Sequence, residues 1–392
     1  MINVINKESC CGCTACASVC PLDAISMQPD TLGFLYPVVN HDKCINCGLC
    51  DKVCAFKDNY DTDMTLPQPV AYAVRHNNNA EVETSRSGAA FIAISDYILE
   101  NSGVVYGVGY VDHFRVAHKR ATTKLQRDEF KGSKYVQSDL RGIFRQIKSD
   151  LCEGRTVLFS GTPCQTAGLS SYIGSHLRKN LILVDIVCHG VPGPYVWRDY
   201  ISYIEKINQD VISYVNFRDK SKYGWSSHYE TFKFKNREDQ KKEYRIYSDL
   251  FNKCISFRYS CGACKFANLK RPSDLTIADF WGWEKAGITI NEDDRGLSLV
   301  LCNTKKGGQI FDIIKDRTTS AEVELDKCLQ PNLQSPTILH TARSTFESEY
   351  GQKGFDYVVK KYVVLTSNCR LRQMLRKLKI IWRKYFILKS YE

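Results

Sequence analysis

The stretch CCGCTACASVCP at positions 10–21 and its echo CINCGLCDKVC at 44–54 decide how this chain is read. Cys10, Cys13, Cys16 and Cys20 fit C-x2-C-x2-C-x3-C and are followed by Pro21; Cys44, Cys47, Cys50 and Cys54 repeat the spacing, with Ala55 in the proline's place. Three thiolates two residues apart wrap one turn of chain around one cube of iron and sulfide. The fourth points away and closes the other cube. By that crossed rule one 4Fe–4S cluster takes Cys10, Cys13, Cys16 and Cys54, and the other takes Cys44, Cys47, Cys50 and Cys20. Zinc knuckles need four ligands in two pairs, not eight in two quartets. Cys11 is extra to the pattern and is assigned no role.

The doubled run is that of bacterial two-cluster ferredoxins. Between its halves, AISMQPDTLGFLYPVVN reads as two short strands around a turn at Asp30 to Gly33. The polar, proline-containing DNYDTDMTLPQP then reads as a linker. This gives a dicluster domain over residues 1–57 and a linker over 58–69.

The whole chain has 392 residues, 43% hydrophobic and 25% charged, enough for two or three ordinary domains and too apolar for disorder. Its 18 cysteines sit in a long chain whose start, MINVINKES, lacks the apolar core of a secretory signal. Metal binding in a cytoplasmic protein is the reading that fits. Formal net charge is +11, and the segment from Cys369 onward holds eight Lys and Arg against one Glu. The body is only mildly basic, which argues against nucleic acid.

From Val70 to about residue 340 the texture is that of a mixed α/β domain. VAYAVRH, VVYGVGYV, TVLFSG and the continuous apolar LILVDIV read as strands. GAAFIAISDYILENSG, ending at Gly103, SDLRGIFRQIKSDL and WRDYISYIEKI read as helices. SYVNF, YETFKF and YRIYS read as a further antiparallel or mixed sheet. Loops after buried strands carry SGTPCQ (160–165) and VCHGVPGP (187–194); SCGACKF (260–266), SDLTIADFWGW (273–283) and KGSKYVQS (131–138) add further chemistry. Ligands bind at strand ends of open α/β sheets. Cys164, Cys188, Cys261 and Cys264 together suit a third 4Fe–4S cluster. A redox dithiol, a zinc site, or a Cys164 nucleophile with His189 as base stay open on spacing alone.

In this order SGAAFIA, GSKYVQS, GTPCQ, VCHGVP, CGAC and DLTIADFWG resemble the β subunit of coenzyme F420-reducing hydrogenase and its relatives, over about residues 70–340. Forms fused to an N-terminal two-cluster ferredoxin are associated with polysaccharide biosynthesis. The resemblance implies FAD and a cluster on the domain's own cysteines. It directs attention to Ser87 and Gly88 at a helix start and to Gly132, Ser133, Lys134 and Tyr135 in a glycine-containing loop as flavin contacts, with a helix cap and a solvated turn as the open alternatives. His189 is a candidate proton donor, since imidazole titrates near neutral pH, and Lys134 is a candidate partner for a phosphate or substrate. In Asp279–Phe280–Trp281–Gly282, packed aromatics at a strand end compete with a turn beside the cofactor.

The implied activity is a ferredoxin-fed iron–sulfur flavoprotein oxidoreductase acting on a small organic substrate. An F420-dependent reductase or dehydrogenase and a non-catalytic electron-transfer subunit of a larger redox complex stand beside it. Residues 341–392 form the C-terminal region. Within it RLRQMLRKLKIIWRKYFILK has helical periodicity, with Leu371, Leu375, Leu378 and Trp382 on one face and Arg372, Arg376 and Lys379 on the other. That pattern suits contact with an acidic protein or the inner membrane surface.

Overall fold

The computed structural model describes residues 1–57, 64–222, 224–227 and 229–363. The basic segment at 370–389 and residues 58–63 of the expected linker lie outside these. Among the described residues no helix is long and apolar enough to cross a membrane.

The N-terminal region has two short helices, Ala15–Val19 and Leu49–Lys52, and an antiparallel hairpin of β1 (Ile25–Pro29) and β2 (Leu35–Val39). Asp30 makes the hairpin turn where it was expected. Its carboxylate accepts the amides of Leu32 and Phe34 at 3.0 and 2.9 Å. Leu32 and Phe34 are fully buried, and they are buried in the other part of the chain, among Trp197, Tyr200 and Phe346. Burying a side chain of this size is worth about 1.5–3 kcal/mol. The half-buried Lys7 ammonium beside it, between Asp30 at 2.8 Å and Glu347 at 2.7 Å, adds about 1 kcal/mol. The apolar tip therefore docks the dicluster region, with the Lys7 ion pairs adding to it.

The large region is built on an eight-stranded sheet. Its strands are β3 (Thr65–His76), β4 (Val104–Val111), β5 (Arg115–Ala121), β6 (Val157–Gly161), β7 (Leu181–Ile186), β11 (Leu275–Asp279), β12 (Ser298–Thr304) and β13 (Thr318–Val323). The intervening β8 (Ile212–Asn216), β9 (Glu230–Phe234) and β10 (Arg237–Tyr244) form a separate antiparallel sheet in the order β10-β9-β8. The main order is β13-β3-β12-β11-β7-β6-β4-β5. The centre, β4-β6-β7-β11, is parallel, and the flanking pairs are antiparallel. Helices cover both faces of that centre. Ala90–Glu100 and Lys305–Ile314 pack on one; Ile143–Cys152 and Pro163–Ile173 pack on the other. Two-sided burial is why β7 reads as a continuous apolar run.

Three local expectations change. Residues 65–69, assigned to the linker, begin β3, and Pro67 and Pro69 sit where the register against β12 is broken between Thr65 and Val70. A proline lacks the ladder donor, so it is tolerated at such an irregularity. YRIYS is not a strand: β10 ends at Tyr244, and a helix runs from Ile246 to Asn252. The residue that closes the first long helix in left-handed conformation is Ser102 (φ 58), not Gly103, which is needed instead because a Cβ there would meet Ile98 at 2.6 Å.

The parallel strands β4, β6, β7 and β11 end on one rim. Antiparallel β12 starts there and antiparallel β3 ends there. That rim carries Cys164, Cys188, Asp279 and the segment around Ser87.

Candidate functional site

Cys10, Cys13 and Cys16 lie in the loop and first turn leading into the first short helix, and Cys54 follows the second. Burial pushes the Cys10, Cys16 and Cys54 thiols up, and these sulfurs and Cys13 lie close enough to raise one another further. The other four behave as the second set. Cys20, Cys44, Cys47 and Cys50 line one small cavity with Met1, Ile25 and Val39. Cys20 thus lies with Cys44, Cys47 and Cys50, and Cys54 with Cys10, Cys13 and Cys16. Backbone amides point at two of these sulfurs: Ile2 N lies 3.2 Å from Cys50 Sγ, and Ala24 N 3.3 Å from Cys20 Sγ.

The third set assembles across the sheet rim. Cys164 opens the helix after β6, next to a capping box of Thr162 and Gln165, with Thr162 Oγ1 3.2 Å from its sulfur. Cys188 lies just past the end of the neighbouring β7, and Cys261 and Cys264 flank the end of a single helical turn, Tyr259–Gly262. The four sulfurs act on one another. Burial pushes Cys188 well up, Cys261 up to about 12 and Cys264 up to about 11, and each is raised further by other members of the set. Among the described residues no three His, Cys, Asp or Glu side chains converge on the spacing of a single metal ion.

A buried pair fixes this rim. Asp185 at the end of β7 is fully buried, and Arg271, after the C-x2-C loop, pairs with it at 3.0 Å. Arg271 also donates to Phe266 O at 2.8 Å and Ile186 O at 3.0 Å, tying the loop that bears Cys264 to the strand that leads to Cys188. Losing one partner of such a pair costs about 3–5 kcal/mol, so the loop is held firmly.

Cys11 joins two of the three sets. It is 5% exposed and packs with Ala55, Phe56, Ala167 and Phe266 against Cys13, Cys54, Cys164 and Cys264. Its thiol lies beside the sulfurs of Cys13 and Cys164. This closeness pushes Cys11 well up and pulls Cys13 down and Cys164 down to about 7. The residue assigned no role thus touches one sulfur from each of two quartets.

Arg258 stands beside it, 1% exposed. It donates to Cys10 O at 2.8 Å, Gln137 Oε1 at 2.9 Å and Leu35 O at 2.9 Å, and its Nη2 lies 3.7 Å from Cys10 Sγ. Gln137 in turn donates to Cys11 O at 2.8 Å. Gly12 is in left-handed conformation (φ 70), which is why glycine follows the cysteine doublet, and a Cβ there would also meet Leu35 O at 3.0 Å and the guanidinium at 2.9 Å. The segment 131–138 therefore serves the cysteines through Gln137. Its Ser138 links His118 at 3.0 Å to Gln165 at 3.0 Å.

The residues singled out for flavin divide. Lys134 turns into its own loop, donating to the carbonyls of Glu129, Lys131 and Gly132 at 3.0, 3.0 and 3.3 Å. Burial pushes its pKa down to about 7, but three carbonyl acceptors are what a charged ammonium needs. It braces a turn, which corrects its assignment to a phosphate or substrate. Gly132 is exposed in left-handed conformation (φ 79), and Ser133 is half-buried beside it. Gly88 is required by packing, since a Cβ would meet Val74 O at 2.2 Å and Ser298 N at 2.7 Å. Ser87 Oγ donates to Leu297 O at 2.6 Å.

Tyr135 and the neighbour of Ser87, Arg86, converge on Asp279. Arg218 bridges the Tyr135 hydroxyl at 3.2 Å and Asp279 at 2.6 Å, Arg86 approaches the same carboxylate at 3.9 Å, and Trp225 Nε1 donates to it at 3.2 Å. Burial would raise the Asp279 pKa, but the two guanidiniums win and hold it below the usual carboxylate range. Trp225 and Trp281 stack at 4.4 Å and 10°, with Trp281 37% exposed. The strand-end aromatics are thus a half-open stack beside a buried cationic cluster.

His189 is exposed and engaged at both ring nitrogens, with Asn332 Oδ1 at 3.1 Å and Cys254 Sγ at 3.4 Å. The thiol it meets is not Cys164. Burial pushes the Cys254 thiol up, the opposite of an activated nucleophile.

Residues 154–327 match the family described as the C terminus of the coenzyme F420 hydrogenase/dehydrogenase beta subunit, and residues 9–57 match the 4Fe-4S dicluster domain. Each matched stretch is similar to its family over those residues. The first is the family that the motifs resemble, and its match spans Cys164, Cys188, Cys261, Cys264 and Asp279 while leaving Ser87 and the 131–138 segment outside. The second spans all eight cysteines of the doubled run. Among solved structures, the chain is similar to one from the xenon-derivatised F420-reducing [NiFe] hydrogenase complex of Methanosarcina barkeri, at 13% identity and a TM-score of 0.46, covering 74% of this chain and 90% of that one. No curated protein matches. The chain is an iron–sulfur electron-transfer protein related to the F420 hydrogenase β subunit.

Proposed function

We propose that this protein is an iron–sulfur flavoprotein oxidoreductase that takes electrons from ferredoxin or another low-potential donor and delivers them to a small organic substrate. In this reading Cys10, Cys13, Cys16 and Cys54 hold one 4Fe–4S cluster, Cys20, Cys44, Cys47 and Cys50 hold the outer one, and Cys164, Cys188, Cys261 and Cys264 hold a third. The observation that supports it is Cys11, buried between Cys13 and Cys54 of the dicluster region and Cys164 and Cys264 of the sheet rim. When bound, the clusters supply one-electron steps and FAD supplies the conversion to two-electron chemistry.

The chain's own residues have definite parts. Arg86, Arg218 and Asp279 leave one net positive charge beside the Trp225–Trp281 stack, a donor set that suits a phosphate-bearing aromatic cofactor such as FAD. Arg86 Nε meets no hydrogen-bond acceptor among the described residues. Ser87 and Gly88 fix the chain leading into the helix Ala90–Glu100, which has no side-chain cap. Tyr135 orients Arg218. His189, held by Asn332 and Cys254, is the proton donor this reading retains. A dicluster unit at 1–57 and a flavin unit near 70–340 follow, with the C-terminal basic region making cytoplasmic membrane-surface or acidic-protein contacts. The fusion itself supports a place in polysaccharide biosynthesis.

The test is anaerobic. Protein isolated with FAD, mixed with reduced ferredoxin, is expected to show bleaching of the flavin's visible band. Bleaching by reduced F420 and not by ferredoxin would favour the deazaflavin-linked reading. No flavin after reconstitution would reduce the protein to an electron carrier within a larger complex.

A further inference from the structure

Arg258 is a buried cation without a buried anion. The other fully buried arginines follow the usual rule: Arg127 pairs with Asp96 at 2.7 Å and Arg271 with Asp185 at 3.0 Å. Among the described residues Arg258 pairs with no carboxylate. Three of its four side-chain hydrogen bonds go to the carbonyls of Cys10 and Leu35 and the amide oxygen of Gln137, and the faces of Tyr36 and Phe34 lie at 4.2 and 5.3 Å. Buried charges are paired, or they answer a charge supplied by a bound group. The groups that face Arg258 are sulfurs. Cys10 Sγ is 3.7 Å from the guanidinium. The backbone of Arg258 is tied to the third set: its carbonyl accepts from Cys261 N at 3.0 Å, and its amide donates to Val191 O at 3.0 Å, between Cys188 and the C-x2-C loop. Four thiolates outweigh the charge of the iron–sulfide cube they hold, so each cluster is a net anion, and reduction adds one more negative charge.

We propose that Arg258 is the counter-charge shared by the two inner clusters and that it raises the reduction potential of both. A fixed positive charge in a dry site stabilises the reduced, more negative cluster over the oxidised one. The outer cluster, at Cys20, Cys44, Cys47 and Cys50, lies away from the guanidinium and is not raised. Arg258 thereby biases electrons inward, from the outer cluster toward the sheet rim. Gln137 positions it, bonding the guanidinium through its oxygen and Cys11 O through its nitrogen. This inference rests on the third-cluster reading for one of its two targets and stands on the dicluster region alone for the other.

The test is an EPR-monitored redox titration of the full-length, anaerobically reconstituted protein. Arg258→Met is expected to lower the midpoint potentials of both inner clusters and leave the outer one in place. Arg258→Lys, which keeps the charge, is expected to restore most of the shift. Gln137→Glu sets a carboxylate against the guanidinium and is expected to lower the same two potentials, so it decides the matter if Arg258→Met fails to hold iron. Unchanged inner potentials in Arg258→Met or Gln137→Glu at full iron content would overturn the proposal. So would an equal shift of all three clusters. If the wild type holds only the two dicluster centres, the third-cluster reading fails by itself. A lowered Cys10-cluster potential then still supports the role of Arg258, and an unmoved one overturns it.

Discussion

Cys54→Ser is expected to empty the cluster of Cys10, Cys13 and Cys16, not that of its near neighbours Cys44, Cys47 and Cys50. Iron per chain should fall by about four of about twelve. The geometry behind this is the swap of the fourth ligands. Cys54 shares its surroundings with Cys10, Cys13 and Cys16, whereas Cys20 lines the cavity of Cys44, Cys47 and Cys50. Double variants read the assignment directly, because ligands of one cluster do not act independently. Cys54→Ser with Cys13→Ser should lose no more iron than either alone, while Cys54→Ser with Cys47→Ser should lose about twice as much. The reverse pattern would show that each run closes its own cube. Because this cluster lies between the outer one and Cys11, the single variant should also abolish reduction of the flavin by ferredoxin.

Cys261→Ser is expected to remove a different set of about four irons and to leave both dicluster signals intact. Its sulfur lies among those of Cys164, Cys188 and Cys264 at the joined ends of β6 and β7 and the C-x2-C loop. Cys254→Ser is the matched control. Cys254 is buried and close in sequence, but it bonds to His189 and belongs to no quartet. Iron and sulfide determination should separate the two variants. Equal iron in both would remove the third cluster from the account and return the C-x2-C pair to a dithiol.

The two variants probe features of unequal legibility. The eight cysteines of the doubled run were readable because their spacing is local and each run builds its own loop. The third set was readable only as residues at strand ends, since the contact between Cys164 and Cys188 depends on β6 and β7 being neighbours. β7 announced itself through its apolar run LILVDIV, and β6 as the strand TVLFSG. The short elements did not: YRIYS alternates like a strand, but the segment turns helical at Ile246 and buries Tyr247 and Leu250 against the aromatic core.

What escaped the sequence reading is what bridges distant segments. Arg258 is one of many cations in a chain of net charge +11, and its partner Cys10 is 248 residues away. Cys11 looked like a spare beside a complete motif. Gln137 was overshadowed by Lys134 in the same loop, although the lysine's charge is spent on its own loop carbonyls. A glycine whose Cβ would clash with a guanidinium, as at Gly12, leaves no mark in the sequence beyond the glycine itself.

The most direct measurement is iron, acid-labile sulfide and flavin per chain in protein isolated without oxygen. The account predicts about twelve irons with matching sulfide and about one FAD, the content of three cubanes and a single flavin site. About eight irons and no flavin, unchanged by reconstitution, would contradict it.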